Sequence, residues 1–279
     1  MRELRLAVIS DIHGNLPAAS AVLSDIGARG FDLVVSIGDM VSKGPQGPEV
    51  VDLLRSKGVQ MLLGGGEFML GLEEPNFVLS DETAAQDRLQ VYEWERSRTT
   101  QDQVEFLTGL PFSMTVDLNG VGVDLFHATP WNCFDLIFPD APSHEIERLR
   151  LSGESKVSVC GHTHRPFVRT IRGHTYINAG SVGQPFDGDW RACYVSLEAG
   201  PCSQQVCVIR VEYDVEAAIR AGRESGMPAF HAYEKMLRAG SYPYPHEPRA
   251  TDKAHSPRRC SNAGCGTKGE GHCVRLPDE

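Results

Sequence analysis

Three short apolar runs separated by two helical stretches constrain this chain more than any other feature: LRLAVI at 4–9, DLVVSI at 32–37 and VQMLL at 59–63. Each run has strand length and is bounded by loop formers. Between the first two, Asn15 and Pro17 open AASAVLSDIGARG, and Gly30 falls just past its end. That is the asymmetry of a capped helix with proline in its first turn. PEVVDLLRSKG at 48–58 supplies a second helix. A β-α-β-α-β order requires crossover connections and a parallel sheet, which places the chain in the layered α/β class.

Downstream the pattern changes. Residues 81–109 are helical and highly charged, a solvated face or a cap over the site, so a helical cap insertion is expected at about 72–110. Asn119-Gly120 between FSMTVDL and VGVDLFH is a strong hairpin signal, and Arg172-Gly173 between FVRTI and HTYIN is another. ACYVSLE and QVCVIRVEY add two strands, and 214–239 reverts to helix. The expected architecture is α/β, with two mixed β-sheets packed as a sandwich flanked by helices in four layers, over a domain spanning 1–242.

Residues 243–279 carry Pro, His, Gly, Ser and charge with little to bury, and are expected to form a mobile tail. Cys260, Cys265 and Cys273 with His272 have zinc-ligand side chains, but paired C-x2-C knuckles are missing, so no tail metal is favoured. Cys133, Cys160, Cys193, Cys202 and Cys207 are scattered, mostly in apolar runs, as small buried hydrophobes would be. No run reaches the roughly 18 apolar residues of a membrane span, and Met1-Arg2-Glu3 leads straight into the first strand. The expected location is cytoplasmic, where a disulfide framework is not expected. A net charge of −10 disfavours a grip on duplex nucleic acid, but not an anionic substrate held through cations.

Chemistry concentrates where strands hand over to loops. Asp11-Ile12-His13 follows the first strand and Gly38-Asp39 the second, His127 ends VGVDLF, and Gly161-His162-Thr163-His164 follows VSVC. In open α/β sheets ligands collect at that edge. Imidazole suits zinc, iron and manganese, and carboxylate can join two ions. In an extended segment residues i and i+2 point the same way, so each Asp-x-His or His-x-His offers two ligands to one volume.

These motifs in this order resemble the calcineurin-like metallophosphoesterases, whose pattern runs D-x-H, G-D, G-N-H-[D/E], a lone His, then G-H-x-H. Here it reads SDIHGN, GDMVSKGP, GGGE, FHATP and GHTHRP, with INAGSVGQPFDGD as the continuation. The resemblance covers about residues 4–213 and is nearest the small bacterial phosphatase or phosphodiesterase branch. It implies a metal-dependent hydrolysis of a phosphomonoester or phosphodiester by a metal-activated hydroxide at a binuclear site. Two divalent ions (Mn, Fe or Zn) are implied: the first on Asp11, His13 and His164, the second on His127 and His162, with Asp39 between them. The implied partner is a small phosphate ester or a phosphoprotein.

The departure lies at GGGE. The resemblance puts a metal-ligating asparagine at Gly65 and a phosphate-contacting histidine at Gly66, and neither glycine has a side chain to offer. The second metal is therefore expected to bind more weakly. Glu67 matches the motif's final acid, and a flexible triple glycine would let it swing toward the vacant position. The same gap fits a second reading: a protein of this fold that binds or regulates without turnover, or an active parent deliberately silenced.

Overall fold

The structure is a computed structural model that describes residues 2–72, 81–200, 203–245 and 272–275. Strand β1 (Leu4–Ile9), helix α1 (Leu16–Arg29), β2 (Leu33–Ser36), α2 (Gly47–Ser56) and β3 (Gln60–Met61) form the two crossovers. Helices α3 (Gly65–Leu70), α4 (Glu82–Arg98) and α5 (Gln101–Thr108) follow. The β4 (Ser113–Leu118)–β5 (Val121–Phe126) hairpin leads through α6 (Ser143–Ile146) to β6 (Val157–Cys160). A second hairpin, β7 (Phe167–Ile171) and β8 (His174–Asn178), precedes β9 (Ala192–Gly200) and β10 (Ser203–Val211). Helices α7 (Val215–Glu224) and α8 (Phe230–Ala239) come next, and β11 (His272–Arg275) is last.

The strands make two mixed sheets, ordered β11-β10-β9-β1-β2-β3 and β4-β5-β6-β8-β7. Strand alternation sets the layers. Leu6 and Val8 of β1 join Val35 and Ile37 against Val123, Leu125, Val159 and Ile177 of the second sheet. Ala7 and Ile9 face the other way, onto Val22 and Ile26 of α1, Leu54 of α2 and Ile219 of α7. Phe126, Cys160 and Tyr176 form the outer face of the second sheet, under Ile146 and Leu149. Each fully buried Leu, Ile or Val in these layers contributes about 1.5–3 kcal/mol.

Local chemistry explains the boundaries. The Asn15 side chain accepts from Ala18 N at 3.1 Å, and Gly30 closes α1 at φ +70°. Asn119 and Gly120 both take positive φ (54° and 92°), as the tight turn between right-twisted strands requires. The charged stretch is two helices rather than one. Thr100 caps α5 by accepting from Gln103 N, and the Gln103 side chain returns an oxygen to Thr100 N, so α4 ends at the preceding turn.

The C-terminal segment departs from expectation. β11 pairs antiparallel with β10, placing Cys273 directly opposite Cys207, and the two form a disulfide. The single cysteine inside QVCVIRV has a partner because an otherwise open edge of β10 accepts one more strand. Cys133, Cys160 and Cys193 are free and buried, as their apolar settings predict. Cys202, Cys260 and Cys265 and the stretch 246–271 lie outside the described residues. Among the described residues, no helix is long and apolar enough to cross a membrane.

Candidate metal centre

Four loops leaving β1, β2, β5 and β6 meet at one end of the sandwich. Backbone bonds lock the first two together: Asp11 N donates to Gly38 O at 3.0 Å, His13 N to Asp39 O at 2.9 Å and Gly14 N to Met40 O at 2.9 Å. The motif segments are not extended, contrary to the i, i+2 argument. Asp11 (φ 55°), His13 (48°), Asp39 (53°), His162 (67°) and His164 (57°) all adopt left-handed backbone. Each such non-glycine residue costs on the order of 1–3 kcal/mol and persists only where its surroundings over-determine it. Tight corners, rather than strand alternation, therefore bring the side chains together. Two glycines make room for them. A Cβ on Gly38 would lie 2.5 Å from Gly64 Cα, and one on Gly161 would lie 2.5 Å from Asp11 Oδ2.

Two groups of possible ligands result: Asp11, His13 and His164, and Asp39, His127 and His162. Within each, one donor atom per residue lies within 4.8 Å of the others. In the first, His13 Nε2 and His164 Nε2 are 3.1 Å apart, and Asp11 Oδ1 is 3.2 Å from His164 Nε2. In the second, His127 Nε2 faces His162 Nδ1 at 3.2 Å. Asp39 lies between the groups, with Oδ2 3.5 Å from His13 Nε2 and Oδ1 3.5 Å from His127 Nε2.

The second hydrogen bond of each ring sets its tautomer. His13 Nδ1–H donates to Ser42 O (3.0 Å), His164 Nδ1–H to Gln184 O (2.6 Å) and His127 Nδ1–H to Ile37 O (3.1 Å), leaving each Nε2 with its lone pair toward the centre. His162 is reversed: Nε2–H donates to Phe134 O at 3.2 Å, and Nδ1 faces inward. Backbone carbonyls orient metal-binding imidazoles in this way.

The donor set fits divalent cations. Asp11 Oδ1 is buried with no hydrogen-bond partner among the described residues, an orphan acceptor that a cation would satisfy. Burial pulls the Asp11 pKa upward, but His164, His127 and His13 outweigh it and hold the carboxyl well below its ordinary value. Burial keeps His13 well below its ordinary value and, with His127 beside it, pushes His162 down to about 3. Neutral imidazole and ionised carboxylate are the ligating forms.

At GGGE the structure differs from expectation. Residues 65–70 form helix α3, and neither Gly65 nor Gly66 has positive φ. A Cβ on Gly65 would meet Phe134 Cε1 at 2.9 Å, so an aromatic ring stands beside this position. Gly66 N donates to Asp39 Oδ1 at 2.6 Å. Glu67 does not swing toward the gap. Its Oε2 accepts from Asp39 N and Gly64 N at 2.8 and 2.9 Å, and its Oε1 from Met40 N and Val41 N at 2.8 and 3.1 Å. Burial and the Asp39 carboxylate push its pKa up to about 7, against the pull of the amides. Glu67 is thus an anchor for the Asp39 loop. Glu67→Ala leaves four buried N–H groups unpaired, and the expected loss is about 3 kcal/mol or more by chemical denaturation.

Several residues that share the site carried no separate signal. Lys43 Nζ lies 3.3 Å from His13 Nε2 and 4.0 Å from Asp39 Oδ2, inside the run GDMVSKGP. Burial lowers its pKa to about 8. Asn178 pins the GHTH turn by donating to Gly161 O at 2.6 Å, and Ser181 Oγ donates to Asp11 O at 2.7 Å. From α4, buried Glu95 accepts from Ser42 N at 2.5 Å, tying this helix to the Lys43 loop.

Burial raises Glu95 from 4.5 to about 8. A folded-state pKa above the unfolded one means that the folded chain holds the extra proton in that window. Stability is therefore expected to fall as pH rises from 4.5 to 8, by at most about 1.4 kcal/mol per pH unit. Glu95→Gln is expected to flatten that slope in denaturant titrations across the range, because its amide oxygen still accepts from Ser42 N.

Comparison with known proteins matches residues 4–200 to the family model described as the calcineurin-like phosphoesterase superfamily domain. An uncharacterized protein of Methanocaldococcus jannaschii is 30% identical over 231 residues, covering 76% of this chain and 89% of that protein. A metallophosphoesterase from Sphaerobacter thermophilus is similar in structure, with a TM-score of 0.65, 28% identity, and coverage of 85% of this chain and 100% of that one. A hypothetical protein from Pyrococcus horikoshii shares the fold, with a TM-score of 0.72, 21% identity, and coverage of 85% and 99%.

Proposed function

Since this chain belongs to the calcineurin-like phosphoesterase superfamily, we propose that it hydrolyses a phosphate ester, monoester or diester, with two divalent ions held by the strand-end residues. The observation that carries the reading is the pair of three-residue donor groups with Asp39 between them. Asp11, His13 and His164 would hold one ion, and His127 and His162 the other, with Asp39 shared. When bound, such ions supply Lewis acidity, neutralising phosphoryl charge and lowering the pKa of a water.

The chain's own residues do the rest. Backbone carbonyls fix each imidazole in its ligating tautomer, and Glu67 holds the Asp39 loop in its left-handed turn. Lys43, beside His13 and Asp39, offers a cation to a phosphoryl oxygen. The first ion is expected to bind more tightly, because no side chain at Gly65 completes the second set. A second reading, a binding or regulatory protein without turnover, draws its support from Gly65 and Gly66 alone.

The experiment is metal content per chain measured with hydrolysis of an aryl phosphate and its diester. Chelation is expected to remove activity and added manganese, iron or zinc to restore it. Undiminished turnover by the metal-stripped protein would overturn the proposal, and full loading without turnover of either ester would favour the second reading.

A further inference from the structure

Beside the metal centre a cleft of about 120 Å³ opens between α4 and α8. Asp39 and His162 form part of its wall, so the cleft is continuous with the site. Six of its other lining side chains are rings: Tyr92, Phe134, Phe186, Tyr233, Tyr242 and Tyr244. Three of these rings run in series from the metal centre outward. Phe186 stacks on His164 at 4.3 Å between centroids, Tyr242 meets Phe186 edge-on at 5.5 Å, and Tyr244 follows Tyr242 at 5.5 Å. Tyr244 Oη donates to Asp87 of α4 at 2.8 Å, engaging the carboxylate that lines this wall. Met69, Met227 and Met236 line the same space, and thioethers pack adaptably against ring edges.

We propose that the ester taken by this site carries a flat aromatic ring on its alcohol portion, seated in this cleft while the phosphoryl group faces Asp39 and His162. The inference rests on the hydrolase reading above. A phosphoryl group alone leaves the cleft unfilled. A sugar or peptide alcohol could pair with Ser42, Asp87, Arg88 or Gln184 but by itself gains no ring-to-ring geometry. A flexible alkyl chain gains burial against the methionines but no ring-to-ring geometry. A simple arene and a nucleobase share the required chemistry.

The test is calorimetric titration of the metal-loaded protein with phosphonates, which bind without being hydrolysed. Phenylphosphonate is expected to bind about tenfold more tightly than hexylphosphonate, the amount an added aromatic pair supplies. Val91→Trp, which fills the cleft from α4, is expected to erase that preference while metal content and inorganic phosphate binding stay unchanged. If that variant does not fold, Tyr242→Ala is expected to weaken phenylphosphonate by about threefold or more, on the same ring-packing scale. A nucleoside 5′-phosphonate in parallel identifies which ring source binds better. Equal affinity for aryl and alkyl phosphonates, or an aryl preference that survives the variant, would overturn the proposal. Tight aryl binding with no turnover of any ester would keep the cleft assignment and remove the hydrolase reading. Turnover without aryl preference would do the reverse.

Discussion

Asp39→Asn is expected to lower ester hydrolysis by about 10³-fold or more, because it removes several kcal/mol of charge stabilisation at about 1.4 kcal/mol per tenfold in rate. Among the described residues, Asp39 is the one carboxylate that faces both donor groups, 3.5 Å from His13 on one side and 3.5 Å from His127 on the other. Asparagine keeps the volume and leaves an oxygen for Gly66 N, so the loop is expected to hold its shape. It cannot supply a second anionic oxygen. Metal content is expected to fall at both positions together, whereas His127→Ala is expected to empty only one. Activity of Asp39→Asn within about tenfold of the parent would remove Asp39 from the chemistry.

The other large effect is a gain. Gly65→Asn with Gly66→His is expected to raise the rate by about 10²-fold, the low end of what a single well-placed donor to the reacting oxygens contributes. The backbone permits both changes, since neither position has positive φ. Space is the obstacle. A Cβ at Gly65 meets the Phe134 ring at 2.9 Å, and one at Gly66 lies 3.1 Å from Ser42 Cβ and Val41 O. Phe134 is partly exposed and packs edge-on against Phe68, so it has somewhere to go. The comparison is therefore made in both the parent and the Phe134→Ala background, with folding checked by denaturation. A folded double variant that carries two ions yet turns over esters no faster would show that the absent side chains do not limit activity, and would advance the regulatory reading.

Much of the framework was legible because local and global signals agree. Asn15, Pro17 and Gly30 bound α1, Asn119-Gly120 turns the first hairpin, and the alternation of Leu6 and Val8 with Ala7 and Ile9 sorts β1 between two cores. The six strand-end residues do converge, but for a reason that alternation did not supply. Their left-handed corners and the Glu67 anchor depend on contacts between distant loops, and periodicity carries no trace of those. The cleft was hidden for a similar reason. Arg88, Asp87 and Val91 lie in a stretch whose charge suggests a solvated face, yet one side of α4 packs toward α8 and Tyr244. The disulfide depended on a strand pairing of Cys207 with Cys273 across a separation of 66 residues, which spacing alone does not specify.

The central claim is that these strand-end residues hold metal ions that drive phosphate-ester hydrolysis. Its most direct test is the rate of aryl phosphate diester hydrolysis by metal-stripped protein, titrated with manganese while bound metal per chain is counted. The account predicts no turnover without metal, a rise that tracks occupancy, and a tighter first binding step followed by a weaker second. Saturation of both positions with no hydrolysis of the diester or its monoester at any occupancy would contradict it.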